Sequence, residues 1–111
     1  MTEYLFSYGT LQKDKVQLDL FGRLLKGRKD KLRGYKASVI EITDTEFLAK
    51  GDGKYQQIAM KTNDRNDAIE GTVFEVSEEE LHHADKYEPG NYTRVKIELE
   101  SGTKAWIYMA V

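Results

Sequence analysis

The run "AIEGTVFEVSEEELHHADKYEPGNYTRVKIEL", residues 68–99, changes its periodicity twice. Residues 68–76 are rich in β-branched and aromatic side chains and read as a strand. Gly71 inside it marks a bulge or a close backbone approach. Ser77 followed by Glu80 has the spacing of a capping box, which starts a helix. The helix ends by Tyr87, because Glu88 precedes Pro89 and a residue before proline is disfavoured in helical geometry. From Tyr92 onward the pattern alternates: Thr93, Val95, Ile97 and Leu99 point one way and Tyr92, Arg94, Lys96 and Glu98 the other, a half-buried strand. Strand, helix and strand in this order, with so short a link after the helix, anchor an α+β reading.

Working outward, "SGTK" at 101–104 is a turn, and "KAWIYMAV" at 104–111 closes a terminal hairpin with a more apolar and more central strand. At the other end, "EYLFSYGTL" at 3–11 alternates Tyr4, Phe6 and Tyr8 against Leu5 and Ser7, then breaks at Gly9. Val16, Leu20, Phe21 and Leu24 form a stripe on one helical face, and Gly27 is placed to end a helix over residues 14–26. "RGYKASVIEI" (33–42) and "QQIAMK" (56–61) are further strands, and the polar "TDTEFLAKGDGKY" (43–55) is a loop or irregular hairpin. The 111 residues are expected to form a single domain, residues 1–111, with two main helices.

Composition narrows the chemistry. With 40% apolar and 32% charged residues, seven tyrosines and one tryptophan, the balance is that of a soluble globular domain. No cysteine is present, which excludes disulfides, thiolate zinc sites and cysteine nucleophiles. The opening residues lack a basic leader and a signal-length apolar run, so a cytoplasmic protein with no membrane anchor is expected. The "NYT" sequon at 91–93 carries no information without export. Net charge is −2 but unevenly spread: residues 23–36 hold seven basic side chains against one acid, and residues 64–88 hold nine acids against two basic residues. A solvated basic face is the expectation there, with no nucleic-acid partner, since no recognised binding motif accompanies it.

Three groups of residues could carry chemistry. "YGTL" at 8–11 ends a strand, where Gly9 would let the backbone turn sharply and aim amide N–H groups outward as an anion-binding nest. An ordinary glycine turn fits the same letters. His82 and His83 diverge by roughly 100° on a helix and supply no i, i+4 metal-ligand pair, so no metal site is expected. Glu88 follows Tyr87, precedes Pro89 and lies near Tyr92. Walled in apolar surface, its carboxyl would rise toward neutral pKa and serve as a general acid/base; on the residues alone a solvated glutamate paired with Arg94 is the commoner arrangement, since most glutamates are exposed.

In combination, "YGTL", "EGTVFEVSEEEL" and "ADKYEPGNYTRVKIEL" resemble the γ-glutamylcyclotransferase-like family, which includes γ-glutamylamine cyclotransferases and AIG2-like proteins. The resemblance implies a small α+β fold with a mixed, β-barrel-like sheet, and a pocket between the first strand's turn and the end of the second main helix. It implies that Tyr8, Gly9, Thr10 and Leu11 cradle a small-molecule γ-glutamyl substrate, that Glu88 is the catalytic residue, and that Tyr92 lines the pocket. Arg94 is a possible electrostatic helper. The implied reaction releases 5-oxoproline and an amine with no cofactor and no metal; the alternative is a non-catalytic module of the same fold that binds a small carboxylate or a protein. Neither the residues nor the resemblance specifies an oligomeric state. Residues 43–55 depart from the family, which often has a proline-containing substrate loop there.

Overall fold

The computed structural model describes residues 2–50, 54–90 and 92–110. In chain order the elements are β1 (Glu3–Ser7), a 3-10 turn (Thr10–Gln12), α1 (Asp14–Phe21), β2 (Gly27–Arg33), β3 (Tyr35–Glu41), α2 (Thr45–Ala49), β4 (Tyr55–Lys61), β5 (Ala68–Val76), α3 (Glu78–Tyr87), β6 (Tyr92–Glu98) and β7 (Lys104–Ala110). Five strands form one sheet in the order β2-β5-β1-β7-β6, and β3 and β4 pair as a separate ribbon. β1 runs antiparallel to β5 and parallel to β7, so the sheet is mixed. It is curled without closing into a barrel, and the ribbon packs beside it through β3 against β5 and β4 against β7.

Both faces of β1 are buried, and its alternation sorts the core into two halves. Phe6 and Tyr8 pack with Leu32, Ile69, Val73 and Ile107, and Tyr35 and Ala59 from the ribbon cover them. Leu5 packs on the other face with Leu11, Val16, Leu81, Ala84 and Tyr87, so α1 and α3 lie against that side. Period-two patterning in a strand places successive side chains on opposite faces, as the sequence predicts here.

Gly71 is a close approach rather than a bulge, because the pairing register runs unbroken through it. A Cβ at Gly71 would lie 2.5 Å from the Ser7 carbonyl oxygen and 2.7 Å from the Phe6 ring. The bare backbone is what lets the two strands and the aromatic ring meet.

Three expectations need correcting. The first helix ends at Phe21, not Lys26: Gly22 takes a left-handed conformation with φ 72° and donates its N–H to the Leu18 carbonyl. Glycine in that conformation is a helix stop, so Leu24 falls outside the stripe and is exposed. Gly27 instead opens β2, where a Cβ would lie 2.6 Å from the Phe74 ring. β2 itself was hidden because its side chains are mostly charged, as suits an edge strand. Finally, the polar stretch after β3 contains a short helix, capped when Asp44 Oδ1 accepts the N–H groups of Glu46 and Phe47. Gly51, Asp52, Gly53 and the Asn91 of the sequon lie outside the described residues.

The fold brings part of the basic run against acidic side chains from β5, α3 and the turn after β6. Arg23, Lys26, Lys31 and Arg33 face Glu80, Glu75, Glu70 and Glu100 at 2.8, 3.7, 3.7 and 2.7 Å. Acidic and basic runs far apart in sequence thus become neighbours. Among the described residues no helix is long and apolar enough to cross a membrane.

Replacing Gly71 with alanine should destabilise the fold by about 1–3 kcal/mol, since overpacking forces backbone or rotamer shifts. Urea unfolding of Gly71→Ala checks this, and an unchanged midpoint would contradict the close approach.

Candidate active site

Glu88 is positioned by the way α3 stops. The capping box fixes the start of the helix, with Ser77 Oγ accepting the Glu80 N–H and Glu80 Oε1 accepting the Ser77 N–H. Leu81, Ala84 and Tyr87 then face the sheet. Glu88 leaves the helix in extended geometry (φ −67°, ψ 149°) while its N–H still reaches the Ala84 carbonyl at 3.1 Å. Pro89 enforces this exit, and is itself buried.

The side chain of Glu88 enters a narrow cleft shared with Tyr8, Gly9, Thr10, Leu11 and Tyr92. The cleft encloses about 40 Å³. Packed among the aromatic and apolar side chains that line it, a charge there is poorly solvated. Burial accordingly pushes the Glu88 carboxyl up to about 8, with Lys50 opposing the rise and Asp85 adding to it. A carboxyl near neutral pKa can both take and give a proton at physiological pH.

The turn opposite Glu88 begins at Gly9 and continues as a 3-10 turn over Thr10–Gln12. Gly9 has φ −134° and ψ −140°, neither left-handed nor ordinary extended backbone, and a Cβ there would meet only open space. Its missing side chain leaves that space free. The sharp change of direction comes from the 3-10 turn that follows, in which Gln12 donates its N–H to the Gly9 carbonyl and Lys13 to the Thr10 carbonyl. The first amides of such a turn, at Thr10 and Leu11, have no partner within it. Thr10 Oγ1 accepts a hydrogen bond from the Tyr87 hydroxyl at 3.2 Å, tying the turn to α3. Leu11 is buried in the core and anchors the turn from below.

Tyrosine hydroxyls frame the rest. Tyr8 donates to the Tyr108 carbonyl at 3.1 Å, and Tyr92 to the Gln57 carbonyl at 3.0 Å. Burial raises both phenols, Tyr92 to about 12, with the Glu88 charge adding to each, so they stay protonated donors. Gln56 and Gln57 of β4 and Tyr108 of β7 complete the walls. Sequence reasoning missed these three. Tyr108 lies in an alternating strand where only packing reveals its role, and the two glutamines sit in the part of the chain that resembles the family least.

Arg94 does not meet Glu88. Its guanidinium forms two hydrogen bonds with Asp85, Nε to Oδ1 at 2.9 Å and a second to Oδ2 at 3.1 Å, and stacks on Trp106 at 4.5 Å from the ring centroid. The Tyr108 hydroxyl also donates to Asp85, at 2.6 Å. The helper expected beside Glu88 therefore belongs to Asp85, one helical turn earlier. His82 and His83 are exposed, and among the described residues no cluster of metal-ligating side chains occurs.

A family model described as gamma-glutamyl cyclotransferase, AIG2-like, matches residues 5–111, and the chain belongs to that family. No curated protein matches. Among solved structures, the fold is similar to the solution structure of an Arabidopsis thaliana protein (TM-score 0.74, 19% identity, 99% of this chain and 69% of the other). It is also similar to a protein described as gamma-glutamyl cyclotransferase (TM-score 0.69, 13% identity, 100% and 68%). An uncharacterized Homo sapiens protein superposes with a TM-score of 0.74 at 13% identity, over 99% of this chain and 67% of the other. A second Arabidopsis thaliana structure is spanned only over 63% of its length. These identities carry the fold alone.

The raised Glu88 carboxyl has a cost in stability that depends on pH. Its folded value, about 8, lies above the ordinary 4.5. The folded state therefore holds a proton that the unfolded chain releases, and stability falls as pH rises through that window. Glu88→Gln, which stays neutral, should gain stability over the wild type progressively between these two values and no further above them. Urea midpoints of both proteins at several pH values check the sign; a difference independent of pH would contradict the burial.

Proposed function

We propose that the protein is a γ-glutamylcyclotransferase that converts a γ-glutamyl amine or peptide into 5-oxoproline and a free amine, with Glu88 as general acid/base. The observation that carries this reading is the Glu88 carboxyl, raised to about 8 and lining the same cleft as the Tyr8–Leu11 turn. Family membership supports it.

The chemistry follows from those positions. Ionised Glu88 takes one proton from the substrate α-ammonium. The freed amine attacks the γ-carbonyl carbon of the same molecule, forming the C–N bond of a five-membered lactam and a tetrahedral oxyanion. Because nucleophile and electrophile share one molecule, holding it folded supplies much of the rate. Collapse of the oxyanion breaks the bond to the original amide nitrogen, and Glu88 returns its proton to that nitrogen. The second proton lost by the attacking nitrogen leaves with the product amine as its ammonium form. No protein nucleophile takes part.

Electrostatic support comes from fixed dipoles. The amides of Thr10 and Leu11, at the start of the 3-10 turn, are suited to the developing oxyanion or to the substrate carboxylate. The Tyr8 and Tyr92 phenols stay protonated beside Glu88, so they add no negative charge to the cleft.

Incubation with a panel of γ-glutamyl amines and dipeptides should release 5-oxoproline from at least one. Glu88→Gln should lose on the order of 10²-fold or more in kcat, the usual scale for a general acid/base. In the wild type, kcat/KM should climb with pH to a limb near 8, the value at which Glu88 becomes a competent base. Equal activity in the two proteins overturns the role of Glu88. Binding of a γ-glutamyl compound without turnover by the wild type would instead identify the cleft as a small-carboxylate-binding module.

A further inference from the structure

Residues 44–50 grip the chain on both sides of Glu88. On the far side, Asp44 Oδ2 accepts the Gly90 N–H at 2.8 Å, while its Oδ1 caps α2. On the near side, the Lys50 ammonium donates to the carbonyls of Lys86 and Tyr87 at 3.4 and 3.1 Å. The same ammonium lies 5.0 Å from the centre of the Tyr87 ring. Between them Phe47, 2% exposed, meets that ring edge-on at 5.5 Å. A cation at the last carbonyls of a helix is favoured by their orphaned charge. The Gly90 and Phe47 amides hold the Asp44 carboxyl below its usual range, so it remains a charged acceptor.

We propose that Asp44–Lys50 is a clamp that fixes the aim of Glu88 into the cleft, with Asp44 and Lys50 as positioning residues for the reaction. Its catalytic consequence rests on the cyclotransferase reading; its structural content does not. The hydrogen bonds of Asp44 and Lys50 to this segment fall on residues 86, 87 and 90, on both sides of Glu88, and the Lys50 charge in addition holds the Glu88 carboxyl down. The divergent stretch after β3 thereby sets the geometry of the acid/base.

Asp44→Asn is the sharpest test. With its one acceptor oxygen on the α2 amides, asparagine turns an N–H group toward the Gly90 N–H, so the cap survives and the tie to Gly90 is lost. The groups acting on Glu88, or acted on by it, are Lys50, Asp85, Tyr8, Tyr92 and Tyr108. All are unaltered in this variant. Carbon-13 NMR of the Glu88 carboxyl should show its titration dropping from about 8 in the wild type toward the ordinary carboxylate range as the turn opens to water. Hydrogen exchange at the Glu88 amide should accelerate. With an active substrate, Asp44→Asn and Lys50→Met should each lose about tenfold or more in kcat with little change in KM, the signature of a misplaced group. Lys50→Arg should restore what Lys50→Met loses. Unchanged Glu88 titration and exchange in Asp44→Asn overturns the clamp, whether or not the wild type turns over any compound. Absence of turnover with the titration shifted as stated overturns the cyclotransferase reading and leaves the clamp standing.

Discussion

The two-sided burial of β1 is the constraint on which the rest depends. Leu5 and Phe6, adjacent in sequence, are 0% and 1% exposed and belong to opposite halves of the core. A strand held between β5 and β7 and covered on both faces has no freedom to shift, because a one-residue slip would exchange its two sets of side chains. Its exit at Tyr8–Leu11 is therefore fixed in space. α3 rests on the same strand through Leu81, Ala84 and Tyr87, and the Tyr87–Thr10 hydrogen bond joins the two ends directly. The cleft is the place where these two anchored segments meet.

Two carboxylates three residues apart then take different characters from their surroundings. Asp85 is held by Arg94 and the Tyr108 hydroxyl at the edge of the sheet. Glu88 has no such partner drawn close among the described residues and lies in a cleft of about 40 Å³. Desolvation dominates there, and the carboxyl rises. Arg94 is therefore engaged with Asp85 and not with Glu88. Elsewhere the fold brings basic residues of the 23–36 run beside Glu70, Glu75 and Glu80.

Much of the fold was legible because it rests on local rules. Period-two alternation found β1 and β6, β-branched and aromatic content found β5, an apolar run after a turn found β7, and the Ser77–Glu80 spacing together with Pro89 found both ends of α3. The failures have physical causes. Two glycines compete to end the first helix, and only the conformation of Gly22 decides between them. β2 is an edge strand whose charged side chains carry no hydrophobic period. The short α2 is too brief to announce itself by periodicity, and its stability comes from Asp44 and from the packing of Phe47 on Tyr87.

By itself, then, the amino-acid order determined which segments become strands or helices where an apolar period or a cap is written into neighbouring residues, and it singled out Tyr8–Leu11, Glu88 and Tyr92 as the residues to watch. Only the tertiary structure decided that these six line one cleft, that Arg94 turns to Asp85 instead, and that Asp44 and Lys50 reach the turn around Glu88 from about forty residues away. The reason is that solvation and contact depend on what the fold brings near. A carboxyl's pKa, unlike a helix cap, is set by neighbours that sequence distance does not reveal.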